Sequence, residues 1–384
     1  MVKSAETCAK RACLVDPRPL LHFDFGAHHP FKIYRLGLAF ELIRAYGLTD
    51  LDGVCLLPPR EATEEEAIAF HSRGYLETLR LASSGMWVPS LFAHGLGTPD
   101  NPVFPDVYDW GMSVAGGSID CAKAVLAGRA KRAFNMSGGL HHAMPSRASG
   151  FCHVNDVVLA IHELLRAGKR VAYVDIDAHH GDGVEQAFYT RADVLTISVH
   201  QSGYTIFPGS GFVEDLGNGP GKGYAVNVPL HPGAGDAAYE RALEEVVLPL
   251  LDAYRPDVLT TQLGGDAVFG DVVANLRLSL RGFERAVKRF RDLDLPWIAF
   301  GGGGYDVGNV VRAWTLAWSV ITETKLPDAI PPEWLTGAAR YGVAISSLRG
   351  DVERTPPNEA VLEDLDRTIE ALREAVFPIL GASE

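Results

Sequence analysis

Several absences bound what this chain can be. No apolar run in its 384 residues approaches the roughly 18 needed to span a bilayer, so no membrane partner is expected. The opening MVKSAETCAKRACLVD has no hydrophobic stretch of the kind that a secretory leader carries. Cysteine is scarce: five residues, at 8, 13, 55, 121 and 152, odd in number and without a CxxC pair. That pattern argues against a disulfide framework or a cysteine zinc site and reads as free thiols in a reducing cytoplasm. There is no block of Lys or Arg, and the net charge is −13, which leaves no electrostatic footprint for nucleic acid. An acidic surface suits cationic substrates such as lysine-bearing peptides, and it also serves plain solubility. Internal repeats, low-complexity stretches and linkers are missing too.

What is present suits one large α/β domain spanning 1–384, with a catalytic core over about 11–325 and a helical region over about 326–384. Short β-branched runs alternate with helical periodicity, which predicts a largely parallel sheet with helices on both faces. Strands are expected at 11–15, 132–137, 170–176, 193–199, 223–228, 257–263 and 296–301. Helices are expected at 155–169, stopped by Gly168, and at 235–256, where Pro249 should kink or end the helix early. A buried helix is expected at 309–323, and a capped helix lying on the outside at 356–380.

Four polar clusters follow four of the apolar runs. FNMSGGLHH ends in His141 and His142, and VAYVDIDAHH carries Asp175, Asp177 and His179. DVLTTQLGGD ends in Asp266, and WIAFGGGGY in Tyr305. In parallel sheets ligands gather beyond the carboxyl ends of the strands, so parallel neighbours would bring all four clusters to one rim. Asp177 and His179 are two apart and would point the same way from an extended strand end. With Asp266 they make three ligands with an open position for water, the pattern of a catalytic divalent site and most consistent with Zn²⁺. His141 and His142 offer acid/base chemistry, Asp175 and Asp182 can fix their tautomers, and Tyr305 offers a hydroxyl to polarise a carbonyl. Each feature alone has a structural explanation, but all four at strand ends favour chemistry. GNGPGKG (217–223) is not a phosphate loop, because Lys222 is followed by Gly223. His180 has no role that these residues suggest, and Cys152 reads as a packed thiol.

At these residues the sequence resembles the zinc-dependent histone deacetylase family, and within it bacterial acetoin-utilisation (AcuC-type) deacetylases. The matching stretches are AHHPFKIYR (27–35), DNPVF (100–104), SGGLHHAMPSRASGFCHVND (137–156), YVDIDAHHGDGVEQAFY (173–189), FPGSG (207–211), QLGGD (262–266) and GGGGYDVGNVVRAW (301–314), in the family's order. The resemblance implies the arginase/deacetylase fold and zinc, or ferrous iron, on Asp177, His179 and Asp266. It implies His142 as general base and then acid, with His141 as its electrostatic partner. Asp182 and Asp175 would pair with His142 and His141 respectively, and Tyr305 would stabilise the oxyanion. Phe151 and Phe207 match the walls of an acyl-lysine tunnel. Gly150 would contribute a carbonyl, and Asp100 would grip substrate backbone at the rim. A structural potassium ion would use Asp175, Asp177, His179 and Ser198. The implied substrate is an acetylated protein or peptide, with acetyl-CoA synthetase a reasonable partner. The loop GGDAVFGD after Asp266 is less polar than is usual in the family, which bears on substrate breadth.

Three other readings compete. An acetylpolyamine or other small-amide deacetylase would share every catalytic residue. A two-manganese ureohydrolase also uses DAH, but it needs a carboxylate where Gly181 stands. A non-catalytic acyl-lysine binder should have lost a ligand, the base or the tyrosine, and none is lost here.

Overall fold

Eight short strands rich in Val, Ala, Leu and Ile form one sheet in which every pairing is parallel. This computed structural model describes residues 10–350 and 358–382. The strands are β1 (Lys10–Val15), β2 (Val54–Leu57), β3 (Ala130–Asn135), β4 (Val171–Asp175), β5 (Val194–Gln201), β6 (Ala225–Leu230), β7 (Val258–Gln262) and β8 (Trp297–Phe300). Their order across the sheet is β2-β1-β3-β8-β7-β4-β5-β6.

Every residue of β4, β5, β7 and β8 is buried, because helices cover both faces of the sheet. Alternation divides the side chains between two cores: Ala172 and Val174 enter one, Val171 and Tyr173 the other. The helix Val307–Ile321 is buried nearly all round, and its Trp314 and Trp318 donate Nε1–H to the carbonyls of Leu263 and Leu48. No helix among the described residues is long and apolar enough to cross a membrane.

Three expectations need correction. Edge strand β2 is absent from the predicted set because its four residues are partly exposed and run straight into Pro58 and Pro59. The free-thiol expectation fails for Cys13 and Cys55, which form a disulfide between β1 and β2. The register sets these two residues directly opposite with Cα atoms 4.7 Å apart, a proximity that a separation of 42 residues conceals. Cys121 and Cys152 are free and buried, and Cys8 lies outside the described residues.

Pro249 does not end its helix early. The chain runs as α-helix over Asp236–Ala242, widens to a π-turn over Leu243–Val247, and continues as α-helix over Leu248–Tyr254. A widened turn just before a proline accommodates its missing N–H and its ring. The helix Glu359–Ala375 is capped by Asn358 and lies on the outside as expected, where it buries Val361, Leu365, Ile369 and Leu372 and packs on β6, covering that edge of the sheet. Pro356 and Pro357, assigned to it from the sequence, lie outside the described residues.

Candidate active site

The strands carrying the four polar clusters, β3, β8, β7 and β4, are consecutive in the middle of the sheet. Their carboxyl ends therefore open onto a single rim, and the candidate residues meet there. Strand β4 stops at Asp175, two residues before Asp177. Asp177 and His179 thus project from the irregular turn that follows, rather than from a strand.

Asp177, His179 and Asp266 are buried, with one donor atom from each within 4.8 Å of the others. His179 Nδ1 lies 3.0 Å from Asp266 Oδ2 and 3.3 Å from Asp177 Oδ1. The outward oxygens are also held. Asp177 Oδ2 accepts from the Gly303 amide at 2.8 Å and from Gln262 Nε2 at 3.4 Å, and Asp266 Oδ1 accepts from the Ala178 amide at 2.9 Å. Burial and the adjacent Asp177 charge push Asp266 up to about 7. Burial disfavours a cationic His179, yet bonds to Asp177 and Asp266 hold its proton up to about 10. Two buried carboxylates around one imidazole call for a cation between them. Two oxygens and one nitrogen at this separation fit a divalent metal with an open position.

Each of the paired histidines has its own carboxylate. His141 Nδ1 lies 2.8 Å from Asp175 Oδ2, which also accepts the Tyr173 hydroxyl at 2.6 Å. His142 Nδ1 lies 2.7 Å from Asp182 Oδ1, at the start of the short helix Asp182–Phe188. The two rings part electrostatically. Burial works against a cation at His141, but Asp175 and Asp177 raise it to about 9. At His142, burial and then the His141 charge outweigh Asp182 and hold the ring down at about 4. With Nδ1–H donated to Asp182, His142 keeps Nε2 as a base.

Tyr305 arrives on the glycine run after β8. A Cβ at Gly303 would lie 2.1 Å from Asp266 Oδ2, so only glycine lets this backbone pass beside the carboxylates. Burial and then the Asp266 and Asp177 charges push the Tyr305 phenol well above its ordinary range, so it stays a proton donor.

Phe151 meets Tyr305 edge-on at 5.6 Å, and Phe207 meets His142 edge-on at 5.0 Å. Gly150 has φ +53°, and a Cβ there would lie 2.5 Å from the His142 ring. Asp100 is exposed, and its neighbour Asn101 accepts the Phe151 amide at 2.9 Å, which ties that loop to the rim. Ser198 stands opposite Asp175 in the β4–β5 register and bonds His200 at 2.8 Å.

Sequence reasoning missed the residues behind these. Arg35, buried within the AHHPFKIYR stretch, donates Nη1–H to the Gly304 carbonyl and Nη2–H to that of Gly302, at 2.5 and 2.9 Å. Asp271 Oδ2 accepts the Tyr305 and Asp306 amides at 2.6 and 3.1 Å. Gln262, the last residue of β7, also donates to the Gly139 carbonyl at 2.9 Å. An arginine among Phe31, Ile33 and Leu36 was the one available signal. Surface grooves of about 590 and 670 Å³ elsewhere on the molecule contain none of these residues.

The comparisons with known proteins point to one family. Residues 29–321 match the family model described as histone deacetylase domain. The chain is 39% identical over 310 residues to type-1 histone deacetylase 1 of Dictyostelium discoideum, covering 80% of this chain and 62% of that protein. It is 37% identical over 325 residues to human histone deacetylase 1, covering 84% of this chain and 67% of that one. Less than two thirds of the Dictyostelium relative's length is thus represented here. A crystal structure of a histone deacetylase homologue complexed with SAHA superposes with a TM-score of 0.85 at 31% identity, covering 95% of this chain and all of that one.

Proposed function

The chain belongs to the zinc-dependent histone deacetylase family, and from that premise we propose that it hydrolyses the acetyl amide of Nε-acetyl-lysine in proteins or peptides, releasing acetate. The observation that carries this reading is the meeting, on one rim, of a buried Asp/His/Asp trio, two His–Asp pairs and a tyrosine.

Asp177, His179 and Asp266 would hold Zn²⁺, or Fe²⁺, which when bound supplies a Lewis acid for the amide carbonyl and lowers the pKa of water. His142 takes a proton from the attacking water at Nε2 and returns it to the leaving lysine amine, while Asp182 holds its tautomer. His141, charged against Asp175, favours the approach of negative charge. Tyr305 donates its hydroxyl proton to the oxygen on which charge develops. Phe151 and Phe207 enclose the acyl-lysine stem, the Gly150 carbonyl accepts from the substrate amide, and Asp100 accepts substrate backbone N–H at the rim. A structural K⁺ beside Asp175, Asp177, His179 and Ser198 would further offset the carboxylates.

The finer reading is an AcuC-type deacetylase acting in the cytoplasm on acetylated metabolic enzymes such as acetyl-CoA synthetase. We also propose that the chain works as one domain, its C-terminal helical region included. The test is a panel of acyl-lysine peptides and acetylated amines, assayed with and without a chelator. Acetate release from peptides, lost on chelation and restored by zinc, supports the proposal. Faster turnover of acetylputrescine than of any peptide would favour the acetylpolyamine reading instead.

A further inference from the structure

His180 follows a candidate metal ligand in the chain, but its ring bonds to different residues. Its Nδ1 lies 2.9 Å from Ser210 Oγ and its Nε2 lies 3.2 Å from Glu185 Oε2. Glu185 is one helical turn after Asp182, so the helix Asp182–Phe188 presents one carboxylate to His142 and another to His180. Asn227 on β6 donates to the same Glu185 oxygen at 2.6 Å and fixes its position. With Nε2–H given to Glu185, Nδ1 is left to accept the Ser210 hydroxyl.

Ser210 belongs to the segment that carries Phe207. Phe207 and Pro208 form a turn, Phe207 and Gly209 are exposed, and among the described residues no backbone hydrogen bond ties Ile206–Ser210 to another part of the chain. The Phe207 ring packs against His142, and the polar ties of the segment are at its far end. His180 holds Ser210, and the Gly211 carbonyl accepts from His200 Nε2 at 3.0 Å. Gly211 sits tightly between the two rings: a Cβ there would lie 2.5 Å from His200 Nε2 and 2.6 Å from His180 Cγ.

We infer that His180 is a positioning residue, clipping Ser210 so that Phe207 stands as a fixed wall beside His142. The inference rests on the reading of this site as an acyl-lysine site. Its effect belongs on substrate binding rather than on chemistry, because both ring nitrogens of His180 are bonded to Ser210 and Glu185 rather than to a candidate catalytic residue.

Ser210→Ala and His180→Gln remove the clip from its two sides, whereas His180→Asn keeps an amide near the place of Nδ1. On the zinc-loaded enzyme with an acetyl-lysine peptide, losing this bond should raise KM about five- to tenfold, and kcat should stay within about twofold. Amide hydrogen exchange at 206–211 should quicken while that at 258–266 stays unchanged. His180→Asn should recover most of the KM, and the double variant Ser210→Ala/His180→Gln should be no worse than either single one. Unchanged KM and unchanged exchange in Ser210→Ala would overturn the inference, even if His180→Gln failed to fold. A loss of kcat or zinc in His180→Gln with Ser210→Ala silent would overturn it as well. Should the parent enzyme turn over no acetylated amide, the reading of the site fails, and the exchange measurement still decides the role of His180.

Discussion

Tyr305 shows how a single residue can be placed by others far from it in sequence. Its amide is held by Asp271, its loop carbonyls by Arg35, and its phenol is kept protonated by burial among carboxylates. If its hydroxyl stabilises the oxyanion, Tyr305→Phe should lower kcat about 10²–10³-fold. Zinc content and peptide binding, read by metal analysis and by calorimetry, should be unchanged. Asp271→Asn weakens the acceptor for two backbone amides without touching substrate. It should therefore lower kcat less than Tyr305→Phe does, and a variant as inactive as Tyr305→Phe would show that Asp271 does more than hold the loop.

At the scale of elements, the runs predicted as strands do pair in parallel, and those ending in polar clusters are consecutive in the sheet. This much was legible because a strand covered on both faces needs an unbroken apolar run, and its polar end then stands out. Features depending on distant partners were not legible: the Cys13–Cys55 pairing, the grip of Arg35 on the glycine run, and the Asp271 acceptor. The π-turn before Pro249 escaped because propensity marks where a helix is strained, not how it widens to relieve the strain.

A second element-scale feature is the junction of the short helix Glu64–Ala67 with the long helix Val107–Leu126. Burial opposes the Glu66 charge, but bonds from Arg60, Lys123 and the Thr63 amide override it and draw the carboxyl down to about 2. A depressed carboxylate stabilises the fold above its unfolded value, here 4.5, and that contribution fades as pH falls toward about 2. Glu66→Gln should therefore lower the melting temperature at pH 7, with the gap to the parent narrowing by pH 3. Thermal melts of both proteins at the two pH values check this, and a gap that widened in acid would contradict the assignment.

For the whole molecule, the helix Glu359–Ala375 contributes to the core although the family match ends at residue 321. Leu372 is fully buried, so Leu372→Ala should cost about 2–5 kcal/mol in denaturant unfolding. A cost near zero would mean that the helix is an appendage. The candidate metal trio makes a second whole-molecule prediction. Zinc bound to the folded chain alone stabilises by mass action, about 4 kcal/mol at a thousandfold excess over Kd. Chelation should accordingly lower the melting temperature, and zinc should restore it. A melting temperature indifferent to zinc would count against Asp177, His179 and Asp266 as ligands.

The bonds from Arg35 to the carbonyls of Gly302 and Gly304 also bear on how the molecule is made. A chain emerging from the ribosome presents Arg35 some 267 residues before its partners exist. Until then a guanidinium destined for burial must stay hydrated, and the early segment around it cannot settle. Nascent chains halted before residue 302 should hold this segment open to protease, and the same segment should become resistant only once the glycine run has been synthesised.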